Sequence, residues 1–279
     1  MSVDWNLVDE RLIRQGELLL SLDFLEGYDR ELGRMNRGKV GRPYMLTERY
    51  VDFLAVVRYL FFMSYRQLEG FTRALNRLVP RLPSADYSGL RRRILGLDLS
   101  LYESLRLSGE SVVIAVDSTG VCVHKAGGWV ERKHGKKKRY VKIHLAVDVR
   151  TKQALALLVT TDGIHDSRAF PKLLRKAESC GRVSRVYADG AYDSSKVYRL
   201  LEEKGIEAVI KPRRNSRLDT PSEPRRRAVT LYKRLGEKDW TELKGYGRRW
   251  IVETAYSTFK RRFGEFCMAK TMKNITKEL

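Results

Sequence analysis

Val112-Val113-Ile114-Ala115-Val116-Asp117-Ser118-Thr119-Gly120 is the stretch that decides the fold. Five apolar residues in succession, four of them β-branched, have the composition of a strand buried on both faces. An acid stands at its end, followed by turn-forming residues. Reading onward, Val141, Ile143, Leu145, Val147 and Val149 alternate with Lys142, His144, Ala146 and Asp148, a period of two. Arg150-Thr151-Lys152 turns the chain, and residues 155–160 return as a third strand. The pattern then predicts a helix over 167–178, a short strand over 184–188 ending at Asp189-Gly190, a helix over 195–204 and a strand over 208–210. Residues 211–242 are polar, rich in Arg and contain Pro212, Pro221 and Pro224, which predicts a loop with a short helix near Leu231. A last helix is predicted over 248–266. Three antiparallel strands followed by α/β units predict a mixed sheet covered by helices on both sides.

Upstream the period changes. An amphipathic stretch between Trp5 and Phe24 carries Leu7, Ile13, Leu18, Leu19 and Leu22, followed by a basic link over 37–43. Thr47 is placed to cap an apolar helix reaching Phe62. Ser64 and Gln67 form a capping box directly after it, the tight junction of a helix-turn-helix. A third short helix over 88–95 carries Arg91, Arg92 and Arg93. This all-α region either reads a DNA groove through those arginines or is an ordinary bundle with a solvated basic patch. A domain boundary is predicted near residue 105, giving a helical N-terminal DNA-binding region (1–105) and a catalytic domain (106–279).

The charge is uneven. Of 55 Lys+Arg and 34 Asp+Glu in 279 residues, the first 105 residues carry 16 and 14, the remainder 39 and 20. The net of +21 therefore resides almost wholly in the second part, and nucleic acid is the partner such a surplus suits. No apolar run approaches the ~18–20 residues of a membrane span; the nearest candidate, 51–63, contains Asp52 and Arg58. Asp4, Asp9 and Glu10 argue against a signal peptide. The isolated Cys122, Cys180 and Cys267 exclude a zinc-ribbon pattern and a disulfide scaffold. A cytoplasmic, nucleoid-associated location is expected, without membrane partner or small-molecule substrate.

Three acids stand out by placement. If the strands ending at Asp117 and Asp189 are parallel neighbours, both carboxylates emerge at one sheet edge, where α/β ligands bind. On the last helix, Arg249, Glu253, Tyr256 and Lys260 fall within about 60° of one another, a carboxylate between two cations and beside a phenol; Tyr246 would join them if the helix reached that far. Three carboxylates against a basic background suit hard divalent cations such as Mg²⁺. Two such ions about 3.5–4 Å apart can activate a nucleophile and stabilise the leaving oxygen of a phosphodiester. The competing reading pairs each acid with a neighbouring Arg or Lys.

The spacing Tyr246-x2-Arg249-x3-Glu253-x6-Lys260 resembles the Y-(2)-R-(3)-E-(6)-K signature of DDE transposases of the insertion-sequence-four and insertion-sequence-five families. Ala115-Val116-Asp117-Ser118-Thr119-Gly120 and Ala188-Asp189-Gly190-Ala191-Tyr192-Asp193 are similar to the segments around their first two acids. Gly41-Arg42-Pro43, Ser64-Tyr65-Arg66-Gln67-Leu68-Glu69 and Asp86-Tyr87-Ser88-Gly89-Leu90-Arg91-Arg92 look like the group's N-terminal region. The resemblance covers about residues 40–275, and relatives often continue into a further helical segment. It implies a ribonuclease H-like catalytic fold, with Asp117, Asp189 and Glu253 as catalytic residues binding Mg²⁺ or Mn²⁺, two ions in all. It implies cleavage at transposon ends and strand transfer into target DNA by a homodimer or higher assembly on double-stranded DNA. Tyr246, Arg249 and Lys260 would meet phosphates or the transposon end. The alternatives are a ribonuclease H-like nuclease without strand transfer and a non-catalytic DNA-binding derivative.

Further basic groups are candidates for DNA contact. The run 132–139, with Lys136, Lys137, Lys138 and Arg139, would lie at a hairpin tip beside Asp117 and meet phosphates, with Trp129 free to stack on a base or to pack the hairpin. Arg213, Arg214, Arg217 and Arg225-Arg226-Arg227 form either a second DNA track or a solvated loop. Asp166, beside His165, is expected to cap a helix rather than to serve metal or DNA, and Asp193 to cap the helix after it rather than to approach the metals; Asp148 is placed away from the apolar side of its strand and left out of the site.

Overall fold

The computed structural model describes residues 9–10, 13–14, 16–17, 22–98, 111–123 and 139–279. The chain divides into two compact units, residues 1–98 and 99–279. The predicted boundary near 105, most of the Trp5–Phe24 stretch, Trp129 and Lys136, Lys137 and Lys138 lie outside the described residues.

The first unit is helical: α1 (Tyr28–Asn36), α2 (Glu48–Leu60), α3 (Tyr65–Leu78) and α4 (Tyr87–Leu95). The starts of α2, α3 and α4 are chemically specified. Thr47 caps α2 by accepting from Tyr50 N, Ser64 and Gln67 close the capping box of α3, and Asp86 caps α4 through Ser88 N and Gly89 N. The core joins Phe24, Tyr28, Tyr50, Leu54, Leu68, Leu82 and Leu90. Arg58, buried within α2, lies over the rings of Tyr59 (4.7 Å) and Tyr65 (4.3 Å), which returns part of its lost hydration as cation–π attraction.

The second unit is built on one sheet of β1 (Val112–Val123), β2 (Arg139–Asp148), β3 (Ala154–Thr161), β4 (Val183–Ala188), β5 (Glu207–Ile210) and β6 (Phe266–Cys267). The order is β3-β2-β1-β4-β5, with β6 beside the end of β1. Strands β1, β2 and β3 are antiparallel neighbours, while β4 runs parallel to β1 and β5 parallel to β4. This mixed sheet flanked by helices is the ribonuclease H-like arrangement. Helices α5 (Asp166–Glu178) and α6 (Ser195–Glu203) cover one face. There Phe170, Leu173 and Leu174 are fully buried, each adding about 1.5–3 kcal/mol of apolar burial. Helices α7 (Glu223–Lys244) and α8 (Trp250–Phe263) cover the other, with Trp240, Ile251, Val252 and Tyr256 packed on Ala115 and Tyr187. A short α9 (Met272–Glu278) ends the described chain. No helix among the described residues is long and apolar enough to cross a membrane.

Three expectations are corrected. Strand β1 does not end at Asp117: it runs on to Val123, because Ser118 to Val123 remain paired with β2 and β6 takes up Cys122 and Val123. Residues 223–244 are helical rather than loop. Pro224 sits in the first turn, where proline lacks no needed hydrogen bond, and Gly236 (φ 77°) supplies the one left-handed residue at a kink. The last helix begins at Trp250, preceded by a 3₁₀ turn over Tyr246–Arg249, and ends at Phe263.

Tyr256 ties the last helix to the sheet. Its hydroxyl lies 2.7 Å from Asp117 O and 2.9 Å from Ile143 O, and accepts from Leu145 N at 3.0 Å. Asp117 and Leu145 are partners across the β1–β2 ladder, so one phenol bridges both strands. Tyr256→Phe should lower unfolding free energy by about 1–3 kcal/mol, the cost of buried backbone groups left without a partner. An unchanged denaturation midpoint would contradict the bridge.

Candidate functional site

The parallel pairing of β1 with β4 runs to Ala115↔Tyr187. Two residues further on each strand stand Asp117 and Asp189, so the register sets them level. The alternation that turns Ala115 and Tyr187 toward α8 turns both acids the same way. Asp189 is the first residue past β4 and accepts from Ala191 N at 2.9 Å, starting the 3₁₀ turn Gly190–Tyr192. Asp117 accepts from its neighbour's amide, Ser118 N, at 2.8 Å.

Glu253 arrives from α8, joined to Asp117 by one guanidinium. Arg249 donates to Asp117 Oδ2 at 3.1 Å and to Glu253 Oε1. Its planar fork suits two carboxylates at once. Burial above all, with the neighbouring Asp189 and Glu253, pushes the Asp117 carboxyl up to about 6, against the Ser118 amide and Arg249, which lower it. Tyr246 donates to Ala188 O at 3.2 Å, and its ring lies 5.9 Å from the Arg249 guanidinium. Burial first, and the nearby acids with it, push the Tyr246 phenol upward, so it acts as a donor.

Asp117, Asp189, Glu253, Arg249 and Tyr246 are thus brought together. Lys260 is not: about two turns beyond Glu253 on α8, it pairs with Glu265 at 3.2 Å. Tyr256 points into the sheet rather than along the polar stripe. Trp250 is 56% exposed at the start of α8. Arg139 donates to Lys270 O. In the first unit, Arg93 is partly withdrawn, donating to Leu46 O and lying over Tyr44, whereas Arg91 and Arg92 are exposed.

Other acids have structural partners. Asp193 does not cap the helix after it, a task Ser194 performs; it pairs with Arg225 instead. Asp166 is not the cap of α5 but lies in its first turn, 3.1 Å from Lys142 Nζ. Asp148 is buried, accepting from Arg150 N and Thr151 to close the β2–β3 turn. Tyr192 is a residue that sequence reasoning passed over. Its buried hydroxyl has no hydrogen-bond partner among the described residues, and burial, then Tyr256, Asp166, Asp117 and Asp189, keep it protonated.

Among the described residues no three His, Cys, Asp or Glu side chains converge closely enough to hold a metal as they stand; the cation between Asp117 and Glu253 is Arg249. The donor set nevertheless suits a hard divalent ion: all-oxygen, with excess negative charge. Such an ion requires Arg249 to withdraw.

A family model described as a transposase DDE domain matches residues 108–276, more than half of the chain. A second model with the same description matches residues 13–126. The family implies use of divalent metal in general. Among solved structures, similarity extends to the piggyBac transposase synaptic complex with hairpin DNA (TM-score 0.39, 12% identity, 93% of this chain and 70% of that one). It extends also to the Drosophila P element transposase strand transfer complex (0.32, 15%, 71% and 43%). A third is the simian T-cell lymphotropic virus intasome with a PP2A regulatory subunit (0.27, 17%, 68% and 66%).

Because the folded-state value of Asp117 lies above the ordinary carboxylate range, its ionisation costs stability. That cost is absent below about pH 4 and complete above about pH 6. Without metal, Asp117→Asn should therefore raise stability at pH 7.5 by up to about 2 kcal/mol and change it little at pH 4. A loss at pH 7.5 would contradict carboxylate crowding at this position.

Proposed function

The chain belongs to the DDE transposase family, and on that premise we propose that it binds the terminal inverted repeats of an insertion sequence, cleaves phosphodiesters at the ends and transfers the strands into target DNA. The observation that carries this reading is the level placement of Asp117 and Asp189 on neighbouring parallel strands, with Glu253 linked to Asp117 through Arg249. Asp117, Asp189 and Glu253 would hold Mg²⁺ or Mn²⁺, two ions for the full reaction. When bound, the ions supply activation of water or a 3′-hydroxyl and charge neutralisation at the leaving oxygen.

The chain's own residues do the rest. Tyr246 holds the carbonyl preceding Asp189 and so steadies that acid's strand end. Arg249, freed from the carboxylates, presents a two-pronged donor to a phosphate. Lys260 gives up an ion pair whose partner Glu265 is 71% exposed; such pairs are weak, so exchange for a phosphate costs little. Arg139 and Lys136, Lys137 and Lys138 add charge for the backbone, and the surplus beyond residue 105 holds DNA that the carboxylates repel. In the first unit, α2 to α4 would serve DNA recognition, with Arg91 and Arg92 facing solvent and Arg93 bracing the helix. Transposition joins two ends, so the working form is a homodimer or higher assembly on double-stranded DNA, at the nucleoid.

Asp117→Asn, Asp189→Asn and Glu253→Gln should each abolish Mg²⁺-dependent cleavage of DNA bearing the element's ends. The loss expected is at least ~10³-fold, with DNA affinity retained. Cleavage by all three variants would overturn the site, and cleavage without joined products on a plasmid target would reduce the activity to a nuclease.

A further inference from the structure

The segment after β5 carries arginines that sequence reasoning assigns to DNA or to solvent. Two of them turn inward, onto the loop that bears Asp189. The Asp193 carboxylate, with no exposed side-chain surface, accepts from Arg225 Nε (2.6 Å) and Nη2 (3.0 Å), Ser216 Oγ (2.6 Å) and Arg213 N (3.1 Å). Arg213 in turn donates from Nε to Gly190 O at 2.6 Å and from Nη2 to Ala191 O at 3.3 Å. Lys211 N donates to Ala188 O at 3.3 Å. The approach is close: a Cβ on Gly190 would stand 3.4 Å from both Arg213 Cγ and Lys211 O.

Every backbone carbonyl flanking Asp189 is therefore spoken for: 188 by Lys211 N and Tyr246, 190 and 191 by Arg213. Among the described residues, the Asp189 carboxylate itself receives only the Ala191 amide. We infer that Asp193, Arg213 and Arg225 are positioning residues that form a buckle, with the 211–225 segment strapped over residues 188–193 to fix the Asp189 carboxylate for cation binding. The inference rests on the proposed metal role of Asp189 and deepens it. The physical need is plain. A ligand on a loop just past a strand end wanders unless its backbone is tied, whereas ligand groups must be held within about half an ångström to bind a cation well. The buried charge of Asp193 is satisfied by donors from three residues of the strap, so the strap and the loop move as one.

The test measures three quantities on the full chain: Mn²⁺ affinity by titration calorimetry without DNA, DNA affinity with Ca²⁺ at several salt concentrations, and melting temperature. Arg213→Gln and Arg225→Lys keep the polarity of their sites, the second keeping the charge while losing the fork. Both should weaken Mn²⁺ binding by about tenfold, the usual effect of removing a ligand's support, with DNA affinity changed less than about twofold. Asp193→Asn, in which the carboxamide still accepts one donor, should fall in the same direction. Unaltered Mn²⁺ affinity with a lower DNA affinity and a shallower salt dependence would make the arginines phosphate contacts and overturn the inference. A lower melting temperature with unaltered Mn²⁺ affinity would make the buckle a purely structural fastening and overturn it equally. Wild-type and Asp189→Asn arms report on the underlying reading: wild-type chain that binds no Mn²⁺, or Asp189→Asn that binds it as well as wild type, would remove the metal role itself.

Discussion

The repulsion between carboxylates held level on two parallel strands is the constraint around which the second unit is organised. Asp117 and Asp189 face one side of the sheet because the register of β1 with β4 leaves them no other place, and burial of Asp117 makes that repulsion costly. Arg249 answers part of it by binding Asp117 and Glu253 together. The hydrophobic sandwich on both faces of the sheet supplies the stability that a strained polar site subtracts, a common exchange at functional sites.

The same constraint explains the position of the last helix. Three anchors bring Glu253 over the sheet: the buried apolar face of α8, the Tyr256 hydroxyl between β1 and β2, and the 3₁₀ turn in which Tyr246 reaches Ala188 O. Tyr246, Arg249, Glu253 and Tyr256 are thus parts of one clamp with divided tasks. Tyr246 and Tyr256 fix backbone, Arg249 balances charge, and Glu253 completes the acid set. Arg249 holds both carboxylates; in the function proposed above it would exchange them for a phosphate when metal binds, which would link cation binding to DNA engagement through a single side chain.

Much of this was legible in the residues. The apolar run 112–116 and the alternation over 141–149 predict the central strands, because burial on two faces or on one leaves a distinct period. The spacing from Tyr246 to Glu253 identifies the clamp because helical geometry makes neighbours of residues three and four apart. What escaped depends on contacts distant in sequence. Ser118-Thr119-Gly120 reads as a turn, yet β2 and β6 hold it extended. Residues 223–244 read as loop because their charges hide an apolar side, Leu231, Leu235 and Trp240, that exists only against the sheet. Arg213 and Arg225 carry no local mark separating them from solvated arginines; only the fold brings them to Asp193. Lys260 shares the helical stripe of the acids, but Glu265 follows it closely and takes it as partner.

The central claim is that Asp117, Asp189 and Glu253 form a cation site held closed by Arg249. Anomalous diffraction from crystals of the full chain soaked in Mn²⁺ tests it most directly. The account predicts a Mn²⁺ peak within coordination distance of oxygens of Asp117 and Asp189, with the Arg249 guanidinium swung away from Asp117. A fully occupied Mn²⁺ elsewhere, with Arg249 still bridging Asp117 and Glu253, would contradict it.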